Sequence, residues 1–568
     1  MKIHRYAAQG NRAGVQQELA NGVSIHVIDD MVDSYEPQTP LQYAIASPTA
    51  DVAIVEYLLA HGATLQPPDL KWAIRSGQIA KVQLLLDSGV DINDADEHGY
   101  DALIHAMFSQ AEAGDRAALV QFLIDQGAPV NGESVYGESA LSVASRNAWF
   151  DIVGMLLKAG SDPAKLGWTD LMHTIALGRL AEVEAMLAQG ADLTARDRKW
   201  ERTPWLLSIH TGDIAKANRL LAAGSDPAAV GHCGKHPLMY AVESGNPAML
   251  TALLEQGMDV NATDEFGETA LMAAVERDDL AMVHVLLAAG ANPAQTTSYN
   301  DKAIQKARSV AMVQCLVAAG EAIADMERSL RPLFTHVQPP DAWELPAHHY
   351  YADRYPRFGD RNPELMDSPF WREMVKFRWW AYAARAQYQD TQDYSHPVWC
   401  CHRFGQSLTC LPDGRVVEIA GEHEDYYDPD FCIYNDVIVY DGAGDFQIYG
   451  YPRDLFPPTD FHTATLVDEW IYIIGNLGYM HDRQIGITPV YRLNCQTWAI
   501  APVVTTGENP GWISRHRAVF QNGQIHISGG EVWTVQQDQP RMSPHSAEYY
   551  LDLQDHRWYR TASADGAD

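Results

Sequence analysis

Apolar residues in the first 320 positions fall into short helical runs, each closed by a glycine. Phe122-Leu123-Ile124-Asp125-Gln126-Gly127, Met155-Leu156-Leu157-Lys158-Ala159-Gly160 and Val285-Leu286-Leu287-Ala288-Ala289-Gly290 share this pattern. The closing glycines at 127, 160, 190, 224, 257, 290 and 320 lie 33, 30, 34, 33, 33 and 30 residues apart. A period near 33 with a leucine-rich helix predicts a solenoid of stacked helix pairs. Within each period, Thr39-Pro40-Leu41, Thr203-Pro204-Trp205 or Thr269-Ala270-Leu271 opens a first helix. Threonine caps the free N–H groups there, and proline suits the first helical position. An alanine-rich helix follows, then a glycine turn at Gly77, Gly178, Gly212 or Gly245. The second helix ends at a glycine in the left-handed conformation. Polar hairpins such as Asp259–Gly267 join the units.

From Pro397 the pattern changes to short alternating strands. Three segments share one order: Arg403–Thr409, Asp413–Gly421 and Asn435–Asp441; Phe461–Val467, Trp470–Gly475 and Thr488–Asn494; His516–Phe520, Gly523–Gly530 and Ala547–Leu553. Trp498 and Trp558 mark a fourth strand in the second and third. Units of about 50 residues predict propeller-like blades. Three blades fall short of a usual ring. A divergent fourth in 388–402, a sheet open against the helical region, or a second chain completing the ring are the alternatives.

Between these regions, residues 336–369 carry Pro339, Pro340, Pro346, Pro356, Pro363 and Pro369, which predicts a loop-rich connector. A single helix is expected over 369–387, docked between the two domains because its aromatic surface would not stay in water. The domains read as a helical array over 1–320, a connector over 321–396, a β domain over 397–562 and a disordered tail over 563–568.

Thr-Pro-Leu-x-x-Ala, the leucine pair and Gly-Ala-Asp-x-Asn resemble ankyrin repeats, about ten of them, strongest at 232–293 and 131–165. The match is weaker at 66–99, where Pro67-Pro68-Asp69 replaces the opening threonine. The β region is similar to kelch repeats, although only Gly529-Gly530 keeps both glycines of that family's second strand. The fold class is thus α+β multidomain, an all-α ankyrin solenoid followed by an all-β kelch-like partial propeller. The ankyrin resemblance implies a concave face of hairpin tips and first helices that holds a partner. Carried over position by position, that face comprises Glu97, His98, Tyr100, Val135, Tyr136, Arg146, Trp168, Trp200, His210, His232, Lys235, Glu265, Phe266, Glu276 and Arg277. Exposed aromatics and arginines anchor interfaces. Arrays resembling this one serve as adaptors or as immunity-type inhibitors of a toxin or enzyme, which is analogy from the fold.

Charge selects among partners. The 568 residues hold 74 acidic and 41 basic side chains, a formal net charge of -33. Such a field repels nucleic acid and anionic membrane and favours a basic protein. The seven cysteines are scattered without a CxxC pair, which argues against a disulfide framework or zinc ribbon. Met1–Ala7 lacks the apolar run of a signal peptide and no apolar stretch is long enough to span a bilayer, so a cytoplasmic setting is expected. No cofactor is expected, and no phosphate loop or GxSxG elbow occurs. The rival class is a metal-dependent enzyme at the acidic loop 421–430. Its candidate ligands are His423, Asp425, Asp428, Asp430 and His462, with Asp460, His481, Arg483 and His516 on comparable loop edges. Cys400-Cys401-His402 reads as buried small residues on a strand rather than a reactive thiol. A homodimer through the C-terminal domain is a third, structural role.

Overall fold

The computed structural model describes residues 2–29, 37–66, 68–111, 113–321, 323, 326, 328–340, 343–390, 396–423, 429–536 and 539–561. The chain divides into two compact units. The first is residues 1–274 with 281–291 and 297–299; the second is 275–280, 292–296 and 300–568.

Paired helices run from Lys2–Ala8 with Arg12–Ala20 to Ala270–Glu276 with Leu280–Ala288, and Ala303–Lys306 with Val310–Ala318 forms a tenth, shorter pair. The capping chemistry expected from sequence is present. Thr39 Oγ1 accepts from Gln42 N at 3.2 Å, and Gln42 Oε1 returns to Thr39 N at 3.2 Å. Thr203 and Thr269 accept from Leu206 N and Met272 N in the same way. The opening at Asp69 differs: Pro68 precedes the helix without a side-chain cap, and the buried Asp69 carboxylate instead takes Gln66 N at 2.8 Å and, from the preceding repeat, Gln42 Nε2 at 3.0 Å. Small residues at the fifth place of the first helices (Ala44, Ala73, Ala106, Ala144, Ser208, Ala241, Ala274) are all fully buried, where a larger group would push neighbouring helices apart. The closing glycines are left-handed, as Gly160 at φ 100° illustrates; Ser161 N then reaches back to Leu156 O at 3.0 Å. Two lysines at one position of the second helix supply further caps. Lys81 Nζ donates to Ala44 O and Ser47 O at 2.8 and 2.6 Å, and Lys216 Nζ to Ile175 O and Gly178 O at 2.9 Å each. Each satisfies last-turn carbonyls of the preceding repeat's first helix.

The second unit holds the strands: β1 Glu364–Leu365, β2 Ser407–Cys410, β3 Val416–His423, β4 Cys432–Tyr440, β5 Phe446–Gly450, β6 Thr463–Val467, β7 Trp470–Ile474, β8 Val490–Asn494, β9 Ile500–Pro502, β10 Thr506–Gly507, β11 Ile513–Ser514, β12 Arg517–Gln521, β13 Gln524–Ser528, β14 Glu531–Gln536, β15 Gln539–Pro544, β16 Tyr549–Asp552 and β17 Arg557–Arg560. They form sheets ordered β1-β5-β4-β3-β2, β6-β7-β8-β9 and β10-β17-β16-β13-β12, plus a smaller β11-β14-β15 sheet. Each large sheet contains four consecutive antiparallel strands except the third, where the β14–β15 hairpin is inserted before β16. Trp558 lies on β17, whereas Trp498 occupies the turn before β9 with φ 60°.

The middle sheet explains the apolar run Trp470–Ile474. Alternate residues of a strand point to opposite faces. Ile471 and Ile473 enter a core shared with Ile419 and Val437, while Tyr472 and Ile474 enter one shared with Ile525 and Leu551. The sheet is therefore apolar on both faces.

A repeated junction links the sheets. Gly405, Phe461 and Arg515, each just before a first strand, are left-handed at φ 59°, 47° and 56°. Phe461 N donates to Gly405 O at 2.9 Å and Arg515 N to Phe461 O at 2.8 Å. Beside them Ser407 Oγ meets His462 Nε2 at 2.7 Å, and Thr463 Oγ1 meets His516 Nε2 at 2.9 Å. After the third sheet Gly320 and Arg331 take over. Arg517 bonds Gly320 O, and Arg331 Nη1 donates to Gln406 Oε1 at 2.8 Å. The described part of 388–402 contains no strand, so the first of the three alternatives, a fourth blade there, has no strand among the described residues.

The connector also departs from expectation. His348, His349, Tyr350 and Tyr351 belong to a helix, Ala347–Asp353, whose buried Tyr350 stacks on Tyr388 at 4.4 Å. The single helix expected over 369–387 is two, Pro369–Phe377 and Ala381–Gln387, broken at left-handed Arg378. The break directs Arg378 at Glu418 Oε1, 3.3 Å away on β3. The first of these helices packs on the β region: Trp371 stacks on Trp399 at 4.7 Å, and Arg372 Nη1 donates to Phe446 O at 2.8 Å. Cys400 and Cys401 sit in a buried loop rather than on a strand. The predicted tail lies outside the described residues.

Candidate partner-binding surface

Hairpins of the first unit are tied tip to tip. Val135 N donates to His98 O, His232 N to Trp200 O, Glu265 N to Cys233 O and Ser298 N to Phe266 O, at 2.8–3.0 Å. The bonds set His98, Trp200, Cys233 and Phe266 at equivalent positions. Tyr136, Phe266 and Tyr299 are exposed, the last by 74%. Glu97, His232, Glu265, Glu276 and Arg277 are exposed as well.

Other members of the predicted set are engaged with their own chain. Tyr100 Oη donates to Glu138 Oε2 at 2.8 Å, and Arg146 pairs with Glu138 Oε1 at 3.3 Å beneath the ring of Trp200. Lys235 pairs with Glu243 and lies 4.9 Å over the Tyr240 ring. Trp168 is half-buried against Phe150 and His173. Glu276 faces Lys306 and Arg308 at 3.9 and 3.6 Å.

His210 corrects the sequence reading. It is 1% exposed and cannot touch a partner. Arg202 Nη1 donates to its Nδ1 at 2.8 Å, which leaves the proton on Nε2, 3.2 Å from Glu243 Oε2. Burial, more than the neighbouring cations, holds its pKa down at about 4, against the pull of Glu243. Arg202 also binds Asp197 Oδ2 at 2.7 Å and Ser145 Oγ at 2.6 Å. The histidine belongs to a buried polar network that crosses repeats. Its position at the end of an apolar helix was the available signal.

A pocket of about 750 Å³ opens within the first unit. Three carboxylates line it (Asp94, Asp96 and Glu97) together with one lysine, Lys71, and the rings of Trp72, Tyr100 and His105. Gln38, Gln42 and Gln66 add amides. Asp96 is fixed by His98 N and Tyr100 N at 3.0 Å each. Asp94 and Glu97 stand exposed. His105 accepts from Arg75 Nε at 3.2 Å and lies 3.3 Å from Asp96. Burial first, then Arg75, lowers its pKa to about 4. The sequence reading named Glu97 and Tyr100 but missed Trp72, Asp94 and the glutamines; the repeat holding Gln66, Trp72 and Asp94 lacks the threonine that marks the others.

The metal candidates do not assemble. His423 is buried with Nδ1 3.4 Å from Cys400 Sγ, whereas His462 is committed to Ser407. Asp430 faces Arg385 at 3.6 Å, and Asp425 and Asp428 lie outside the described residues. Among the described residues no three His, Cys, Asp or Glu side chains gather as a metal site. Asp460 turns inward to Gly478 N at 2.6 Å. His481 is largely exposed. Burial raises the Cys400 and Cys401 thiols to about 11 and 12, which keeps them protonated and unreactive.

No helix among the described residues is long and apolar enough to cross a membrane. Residues 3–96 and 205–297 match the family of ankyrin repeats. No kelch repeat is identified in the β-rich region. The curated proteins contain no match to the chain. The N-terminal region thus contains ankyrin repeats, a module that generally binds other proteins.

Proposed function

We propose that the chain is a non-enzymatic binding protein whose ankyrin region holds a basic protein partner on the concave face. The observation that carries this reading is the pocket with Asp94, Asp96 and Glu97 against a single lysine. Carboxylates beside aromatic rings suit a guanidinium, which pairs through its edge and stacks through its face. The hairpin-tip row, with Tyr136, Trp200, Glu265 and Phe266, extends the same surface. His98, Arg146, Trp168, His232 and Lys235 flank it. The chain's net charge of -33 supports a basic partner and disfavours nucleic acid.

The test is capture of the partner at low salt, followed by titration of the purified complex. Affinity is expected to fall steeply with salt, because exposed charge pairs are screened. Glu97→Lys should weaken it about tenfold, or roughly 1.4 kcal/mol. A complex indifferent to both salt and Glu97→Lys would sink the electrostatic reading. If the partner is an enzyme or toxin, its activity in the complex separates an inhibitor from an adaptor.

A further inference from the structure

One hairpin of the first unit runs against the charge of the chain. Between helices Leu180–Ala188 and Pro204–His210, residues 196–202 read Arg-Asp-Arg-Lys-Trp-Glu-Arg. Arg202 and Asp197 neutralise each other in the buried network beneath. Arg196, Arg198 and Lys199 remain, with Glu201 as the other carboxylate of the hairpin. Arg196 and Arg198 are exposed, and Lys199 is half-buried.

These three cations meet only neutral oxygens. Arg196 Nη1 donates to Glu201 O at 2.7 Å and to Val230 O at 2.8 Å, and the Lys199 ammonium donates to Gly137 O. Among the described residues, no hydrogen bond or ion pair engages the Arg198 guanidinium. Nearby Lys165 and Arg146 differ, since Glu133 and Glu138 pair with them at 3.4 and 3.3 Å. The unspent positive charge is therefore confined to this hairpin.

The charges are also held in place. Arg198 lies so close over Gly167 that a β-carbon there would collide with its own. Lys199 reaches past that glycine to the hairpin carrying exposed Tyr136. Groups fixed before binding lose less entropy when a partner arrives. Arginines beside aromatic rings are common interface anchors.

The hairpin stands three repeats beyond Asp94 and Glu97. Helices packed 8–10 Å apart put roughly 25–30 Å between the two places, about the diameter of a small domain. One partner covers both.

We propose that Arg196, Arg198 and Lys199 bind an acidic segment, aspartate or glutamate side chains, of the same protein that fills the pocket at Asp94 and Glu97. The partner is then dipolar, basic toward the pocket and acidic toward this hairpin. The unused N–H groups of Arg198 suit a carboxylate edge-on. The proposal rests on the reading of the ankyrin region as a partner-binding surface.

Full-length protein would be titrated at low salt with fluorescently labelled tetraglutamate and, separately, tetralysine, read by anisotropy. Saturable tetraglutamate binding is expected. Arg196→Gln/Arg198→Gln/Lys199→Gln should weaken it at least about tenfold. Arg198→Glu, which removes no contact within the chain, should weaken it about fivefold or more and covers the case of a misfolded triple variant. Lys158→Glu makes the same charge change at another exposed site and should leave binding within about twofold. No saturable tetraglutamate binding up to about 10 mM, or an Arg198→Glu loss no larger than that of Lys158→Glu, would overturn the proposal. With the captured partner, Arg198→Glu should weaken the complex; tighter binding would mean a uniformly basic partner and would overturn it too. Tetralysine binding that ignores Glu97→Lys would count against the acidic pocket alone, so failure of the two readings can be told apart.

Discussion

Arg202→Met tests whether the buried network ties neighbouring helix pairs together. Arg202 and Asp197 are each 1% exposed and lie 2.7 Å apart. The guanidinium also reaches Ser145 O at 2.9 Å, Ser145 Oγ and His210, so one side chain joins helix Ala140–Arg146, the 197–202 hairpin and helix Pro204–His210. Methionine fills a similar volume but leaves Asp197 charged and buried. Breaking a buried pair from one side costs roughly 3–5 kcal/mol. In a solenoid that loss falls on neighbouring repeats first, because each contacts only its neighbours. Native-state hydrogen exchange should show amides of these two helices opening about 100-fold faster or more, since each ~1.4 kcal/mol is a factor of ten. Arg202→Met/Asp197→Asn removes the stranded charge, while the side-chain amide oxygen can still accept from Trp200 N as the Asp197 carboxylate does. The double variant should recover at least half of the loss. Opening accelerated less than about fivefold, roughly 1 kcal/mol, or a double variant no better than the single, would refute the reasoning.

Acid should destabilise the protein in a defined window. His105 and His210 stay neutral in the fold to about 4, whereas an unfolded histidine takes its proton near 6.5. The unfolded state therefore binds more protons as pH falls from about 6.5 to 4, and stability drops across that range. Glu243 adds a second stretch. Burial raises its pKa, but His210 and Lys235 outweigh burial and bring it to about 2, so further stability is lost below the usual carboxylate value. Thermal melts at about pH 7 and 5 check this, and an unchanged midpoint contradicts it. A thiol reagent at neutral pH should modify exposed Cys410 first and spare Cys400, Cys401 and Cys432, whose thiols burial lifts to about 11, 12 and 12; early labelling of Cys400 would mean that this loop opens. Glu418→Gln strands Arg331 and Arg378, which meet the buried carboxylate at 3.4 and 3.3 Å. A loss of roughly 3–5 kcal/mol should appear as faster tryptic cleavage at Arg378, and wild-type resistance would show that Glu418 does not hold that segment.

The repeat architecture was legible because it rests on local physics. Threonine caps, closing glycines and small residues between helices act within a few positions of themselves, so sequence order alone displays them. The three strand-rich segments were legible for the same reason, through period-two patterning. What sequence hid was contact at long range. The break at Arg378 is set by Glu418, forty residues away, and helix propensity carries no trace of it. His210 resembles an exposed polar residue at a helix end until Arg202 and Glu243 close around it. Asp69 shows an intermediate case: the missing threonine weakened the repeat signal and leaves that helix without a side-chain cap, yet the Asp69 carboxylate ties Gln66 N and the Gln42 side chain of the preceding repeat. Where a local rule fails and the fold persists, a compensating side chain is present, and here it stands next to Gln42, Gln66 and the pocket proposed to receive a partner. The weakest repeat by pattern is thus the one whose altered chemistry calls for mutagenesis first, because departures from local rules gather at functional sites.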